Sequence, residues 1–397
     1  MSEGIGMSVM AWVDFGQEHR EGMDRLLDAF RDESTVDELG IGTVRDAFAD
    51  MMFPGTSTLH TRARYLLFVS WLATSVAAQR LPLERATGEL RRRETQLIEA
   101  LVAGDPDGGV IGRVSRARLK RMPSEVYWGA LGRYRIRRCD EGPQQHFRTV
   151  TAMPVPPPEE EDDAPRHLHD PHFAQLPPVP DGLDTLVDFD LTREEAEFLD
   201  ERIQATCPGS YLAWLVRHRT PDDAAYPWDP ALTEDLDGEP AVVVAHARRL
   251  RHLYQGAPLL YNLLLARSKG WAEGVEDYEE RLDTWSSSEE LRTSVQEWDT
   301  KAFWRVVLDE RRVNIGTRGF IDAWVDLVRT DPGQGWRSVE AADLVRQRER
   351  RLKRSRSRFD NRDALAAWEG EAGVAGLHYR WASASTMVND IRDGLER

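Results

Sequence analysis

Two carboxylates four residues apart, Asp46 and Asp50, stand in the stretch DELGIGTVRDAFADMMFPGTSTLHTRARYLLFV at residues 37–69. On a helix that spacing puts both on one face. A carboxylate so placed can activate a water molecule or steady an oxocarbenium-like sugar, the need shared by glycoside and N-glycosidic hydrolysis. Asp14, in the segment AWVDF after Trp12, is the second candidate. The alternative for Asp46 is a salt bridge with a neighbouring arginine.

The same stretch carries two helix-start signals. Gly40 and Gly42 form a tight loop ending at Thr43, a residue type that caps free backbone N–H groups. Pro54-Gly55 marks a turn before Thr56, Ser57 and Thr58, again hydroxyls ahead of an apolar run. Two helix N-termini with Arg45, Arg62 and Arg64 nearby predict a cradle for an anion such as a phosphate. The alternative is a helix hairpin with well-made caps. Gly40-Ile41-Gly42 departs from the glycine hairpin of helix-hairpin-helix repair proteins, with Leu39 where proline is usual.

The chain has 397 residues and a formal net charge of −16, unfavourable for nucleic acid on average, yet the charge is unevenly spread. Residues 113–138 hold nine basic side chains and one acidic, and 346–362 hold nine and two; 139–200 holds sixteen acidic and three basic. The first cationic segment interleaves Arg113, Lys120 and Arg121 with Tyr127 and Trp128, so cations can meet phosphates while a ring stacks on a base or fills its gap. The second predicts a basic helix, with Arg354 and Arg358, that either lines a phosphate groove or pairs with acidic segments of the same chain.

These groups need a scaffold, and apolar periodicity predicts a mainly α fold with few short strands. The pattern divides into a helical N-terminal domain at 1–152, a proline-rich acidic linker at 153–180, and a larger helical domain at 181–397. In the first, an extended MSVMAWVDF and a helix bearing Met23, Leu26, Leu27 and Phe30 precede helices over Pro82 to Ala103 and from Pro123. In the second, helices are expected at about 192–203, 209–218, 240–267, 274–285, 289–308, 318–329, 338–358, 361–369 and 383–395. Thr192 with Glu195 is a capping box, Gly256 and Pro258 predict a kink, and Asn262 is expected buried and satisfied. The thirteen tryptophans suit anchors between helices.

No run is long and apolar enough for a membrane span, and no secretion signal is read at the N-terminus, so a cytoplasmic protein is expected. Cys139 and Cys207 match no zinc or redox spacing. His167, His169 and His172 sit with Asp170 in the linker, where a metal site lacks rigid support, so no metal is expected. No P-loop, dinucleotide fingerprint, HExxH, GxSxG or kinase motif occurs.

The blocks AWVDF, ELGIGTVRDAFADMMFPGTSTLHTRARYLLF, GVIGR with LKRMPSEVYWGALGRYRIR, GAPLLYNLLLA and WEGEAGVAGLHYRW resemble a bacterial domain-of-unknown-function family found in anti-phage defence loci, over essentially the whole chain. The resemblance extends to the Brig phage-defence DNA glycosylases, which remove glucosylated hydroxymethylcytosine from phage DNA and leave abasic sites. It implies a monofunctional glycosylase, needing no cofactor, whose partner is modified phage DNA. Asp46 then Asp14 would serve as the carboxylate, Thr43, Arg45, Thr58, Arg62 and Arg64 would lie on phosphate, and Tyr127 or Trp128 on the base. The alternative is a non-enzymatic DNA-binding or scaffold subunit acting beside other defence proteins.

Overall fold

The computed structural model describes residues 37–105, 108–153, 172–218 and 224–397, and these are mainly helical. Their one isolated β-bridge joins Arg137 to Phe173. None of the described helices is long and apolar enough to cross a membrane. Asp14, MSVMAWVDF, the Met23–Phe30 helix, His167, His169 and Asp170 lie outside the described residues.

Helix α1 (Gly42–Met52) carries Asp46 and Asp50. Helix α2 (Tyr65–Ala77) buries every residue except Ser75. Its polar members fit because Ser70 and Thr74 donate to the carbonyls of Leu66 (2.7 Å) and Ser70 (2.9 Å), each one turn back. Around it pack α3 (Leu83–Gly104), α4 (Pro123–Arg133) and α5 (Pro143–Ala152).

The described chain from residue 172 onward packs on α2. Trp71 Nε1 donates to the Pro177 carbonyl at 2.9 Å, and Phe189 closes on Tyr65 and Phe68. Burying those rings offsets the entropy of fixing a proline-rich segment, itself small because proline is stiff. One cluster of buried side chains includes Leu67 from before residue 153 and Phe189 and Leu264 from after residue 180.

The second half follows as α6 (Arg193–Thr206), α7 (Tyr211–Arg217), α8 (Pro230–Thr233), α9 (Gly238–Tyr254) and α10 (Gly256–Lys269). Next come α11 (Ala272–Ser287), α12 (Glu289–Gln296), α13 (Thr300–Glu310) and α14 (Ile315–Thr330). The chain ends with α15 (Val339–Lys353), α16 (Arg362–Ala366) and α17 (Trp381–Glu396). The Thr192 cap of α6 is formed, with Thr192 Oγ1 accepting from Glu195 N and Glu195 accepting from Thr192 N.

Two expected helices are each divided. The run at 289–308 breaks where Asp299 caps α13 by accepting from the N–H groups of Lys301 and Ala302. The run at 240–267 breaks at Gln255, because Pro258 has no N–H to give the Tyr254 carbonyl. The tryptophans complete that break: the indole N–H of Trp285 donates to the His252 carbonyl (2.7 Å) and that of Trp324 to Leu253 (2.8 Å). Carbonyls at a helix end otherwise left bare in the core are thereby satisfied. Gly256 is required here, since a Cβ would fall 2.2 Å from the Trp285 ring.

Candidate functional site

The break between α9 and α10, helix α1 and the loop before α17 enclose a cavity of about 310 Å3. Helix α1 contributes Arg45 and Asp46; the segment ahead of it contributes Asp37 and Glu38, and the chain after it Thr56, Ser57 and Thr58. Tyr254 and Pro258 close one side, and Leu377, His378, Tyr379 and Arg380 another.

Asp46 is about one-third exposed, with Oδ1 held by Arg45 Nε at 3.1 Å and Nη2 at 3.0 Å. Both contacts fall on one oxygen, so Oδ2 has no protein partner among the described residues, and Asp46 lines the cavity. The ion pair expected as the alternative is therefore formed, and it orients the carboxylate without occupying it. Asp50 does not share this role: its Oδ1 accepts from Arg380 at 2.6 Å and its Oδ2 from Arg311.

The anion cradle expected at the start of α1 is already filled. Asp37 accepts from the N–H of Ile41 at 2.8 Å and from that of Gly42, so the helix dipole meets the chain's own carboxylate. Thr43 is consequently inside the helix and caps nothing. The second helix start lies later than Thr58: Thr56 Oγ1 donates to the Phe53 carbonyl, Ser57 Oγ accepts from Leu59 N, and α2 begins only at Tyr65. Thr58 nevertheless reaches the cavity wall.

Arg62 and Arg64, expected on phosphate, hold the structure together. Arg62 donates through Nε to both oxygens of Asp390 (2.9 and 3.0 Å), and Ala63 N adds a bond to Oδ2 at 2.7 Å. Burial pushes the Asp390 carboxyl up, against the opposing pull of Arg62. Arg64 is buried and pairs with Glu195 at 2.8 Å and Asp188 at 3.0 Å. Tyr127 and Trp128, expected at a base, are core residues. The Tyr127 hydroxyl accepts from Thr61 N and Arg62 N and donates to the Arg62 carbonyl; Trp128 Nε1 donates to the Glu141 carbonyl. His60 stacks on Tyr127 at 4.2 Å, and burial lowers its pKa to about 4.

The second basic segment serves in part as an intrachain partner for the cavity rim. Arg348, only 6% exposed, donates to the carbonyls of Leu39 (2.7 Å) and Gly40 (2.8 Å) and to Thr317 Oγ1 (2.8 Å). Lys353 and Arg358 both pair with Glu38, Arg358 at 2.8 Å. Thus Arg358 is not a groove cation, whereas Arg351, Arg354 and Arg356 are exposed just beyond it. Arg113, Lys120 and Arg121 are exposed on the other cationic segment, anchored where Arg62 Nη1 donates to the Gly108 carbonyl and Ile111 N to the Tyr65 hydroxyl. One cationic segment is therefore fixed to the Glu38–Gly40 rim and the other beside the loop that runs from Thr58 to α2.

Sequence reasoning missed Arg380 and His378 as cavity residues. Tyr379 and Arg380 both have positive φ (51° and 64°), uncommon for side-chain-bearing residues and suited to re-aiming one between two anchors. Those anchors are buried: Tyr379 donates to the Ala247 carbonyl and Trp381 to that of Ala224. The HYRW row was visible in sequence, but which of its side chains turns to a cavity depends on those backbone angles. Burial among the cavity walls raises the Tyr254 hydroxyl well above its ordinary range, so it stays protonated.

The chain belongs to a family of unknown function, DUF6361, whose pattern matches residues 7–394. No curated protein and no solved structure matches it.

Proposed function

We propose that this protein is an anti-phage DNA glycosylase that takes a modified cytosine, glucosylated hydroxymethylcytosine, out of the duplex and cleaves its N-glycosidic bond. The observation that carries the reading is Asp46: a carboxylate with one oxygen pinned by Arg45 and the other without a partner among the described residues, in a cavity lined by the hydroxyls of Thr56, Ser57 and Thr58, the cations Arg45 and Arg380, and the carboxylates Asp37 and Glu38. At about 310 Å3 the cavity is at the small end of ligand pockets, room for one nucleoside-sized group. Thr56, Ser57, Thr58 and Tyr254 offer hydroxyls suited to a sugar-bearing base.

In this reading the C1′–N1 bond breaks with its electron pair leaving on the base, and water adds at C1′. Asp46 Oδ2 takes the water proton and its charge steadies the cationic sugar. The departing base takes up a proton, and the DNA is left with an abasic sugar. The exposed cations of the two flanking segments hold the phosphates. Since Tyr127 and Trp128 are committed to the core, the rings that meet the extruded base are those of the cavity itself, Tyr254 and His378.

The test is incubation of purified protein with plain, hydroxymethylated and glucosylated DNA, followed by alkali. Strand breaks confined to the glucosylated duplex, lost in Asp46→Asn, are expected. DNA binding without an alkali-labile product on any substrate would replace the enzyme by a non-enzymatic DNA-binding or scaffold subunit.

A further inference from the structure

Away from the cavity, three metal-ligating side chains meet at the seam between α4, α5 and the returning chain. Cys139, His146 and His172 each bring one donor atom to within 4.8 Å of the others. Their linear spacing matches no zinc motif, and the fold alone makes the cluster. The β-bridge does so, with Arg138 N donating to the His172 carbonyl at 2.7 Å and Ala174 N to that of Ile136 at 2.8 Å. The bridge thereby sets His172 next to the loop that holds Cys139.

We infer that Cys139, His146 and His172 form a site for a zinc-class transition-metal ion. A thiolate and two imidazoles are soft and borderline donors, which favour zinc over magnesium, calcium or manganese. Metal–ligand bonds of about 2.3 Å to sulfur and about 2.0 Å to nitrogen need donors roughly 3.5 Å apart in a tetrahedron. Closing from 4.8 Å takes side-chain adjustment of Cys139 and His172, both only partly buried, around a fully buried His146.

The surroundings are those of a supported site. The His146 ring sits within 5.4–5.8 Å of Phe147, Phe173 and Trp128, an apolar shell that strengthens metal–ligand attraction. Trp128 Nε1 fixes the cysteine-bearing loop through the Glu141 carbonyl at 2.8 Å. Arg137 Nη1 lies 3.9 Å from Cys139 Sγ, a cation beside the sulfur. Three protein ligands leave a fourth position for water, and the ion would staple the chain returning at His172 to α5.

The test is elemental analysis of untagged full-length protein after exhaustive dialysis, then removal of metal and titration with cobalt(II). One zinc per chain and a thiolate-to-cobalt charge-transfer band saturating at one equivalent are expected. Cys139→Ser should abolish the band, and His172→Gln should lose the retained zinc, each keeping the helical circular dichroism of the metal-free protein. Buried His146 is left unchanged to avoid confusing misfolding with ligand loss. Absence of both retained zinc and the cobalt band in the wild-type protein would overturn the inference. So would metal retained undiminished in both variants, which would place it elsewhere.

Discussion

Arg380 donates to Asp50 Oδ1 at 2.6 Å, joining the loop before α17 to the helix that carries Asp46. The same Nη1 donates to the Thr56 carbonyl at 3.1 Å, so one guanidinium spans two walls of the cavity. Its backbone lies in the left-handed region, which costs about 1 kcal/mol or more and is sustained only by such contacts. Asp50→Ala removes the acceptor for both Arg380 and Arg311. A loss of about 2–3 kcal/mol is expected, read as a lower denaturant midpoint with unchanged slope.

Asp46→Asn keeps the shape of a side chain that is about one-third exposed, so stability should move by no more than about 0.5 kcal/mol. Excision should fall about 10²- to 10⁴-fold, the usual worth of a general base. Single-turnover kinetics on glucosylated DNA measure it. A variant that folds as the wild type and cuts at an undiminished rate would remove Asp46 from the chemistry.

Gly40 carries the rim. Its φ is +69°, and a Cβ there would lie 2.7 Å from Arg348 Nη2 and 2.8 Å from Leu352. Gly40→Ala combines backbone strain with displacement of a buried guanidinium, an expected cost of about 1–3 kcal/mol. Arg348→Lys should cost a similar amount, because a single ammonium cannot reproduce the fork that reaches Leu39, Gly40 and Thr317. Thermal denaturation of each variant checks both.

Helix positions were legible in the sequence because apolar periodicity and local caps decide them, as at α3, α4 and the Thr192 capping box. Arg62 and Tyr127 were not. An arginine reads the same whether it faces a phosphate or Asp390, more than three hundred residues later, and a tyrosine beside arginines reads the same whether it stacks on a base or caps a buried loop. Likewise the acceptor that fills the N-terminus of α1 is Asp37, while the sequence offered Thr43, the nearer hydroxyl, as its cap. Partners distant along the chain are set by tertiary packing, which local pattern does not encode. Asp46 was legible in position, yet that Arg45 holds only one of its oxygens could be seen only once both side chains and the cavity wall were placed.

Glu94 gives the protein a pH dependence of a sign unusual for a carboxylate. Burial raises its pKa from 4.5 to about 7, partly opposed by the bond it accepts from Ser124 N at 2.7 Å. A folded-state pKa above the unfolded one means the folded chain binds the proton more tightly. The contribution is thus fully present below pH 4.5 and lost as pH rises through about 7. The shift corresponds to roughly 3 kcal/mol. Glu94→Gln, neutral at every pH and still an acceptor, should gain stability relative to wild type between pH 5 and 8 and match it near pH 4. His60 works in the opposite sense: its pKa is lowered to about 4, so its contribution is present above 6.5 and fades on acidification. Comparing the two Glu94 forms at each pH cancels that background.

The exposed and the buried cations should separate in a DNA-binding assay. Lys120 and Arg121 are exposed, and replacing both by glutamine should leave stability within about 0.5 kcal/mol for each. If both meet phosphates, the slope of log affinity against log salt should become shallower by about two, since each neutralised phosphate contributes about 0.9. Arg62→Gln should behave differently. Asp390, 8% exposed, would lose the guanidinium that neutralises it, and such a break costs about 3–5 kcal/mol. Its effect should therefore appear in the unfolding curve, with the salt slope of the folded fraction unchanged. An unaltered slope in the Lys120/Arg121 variant would show that DNA does not lie on that segment and shift attention to Arg351, Arg354 and Arg356, exposed on the other cationic segment.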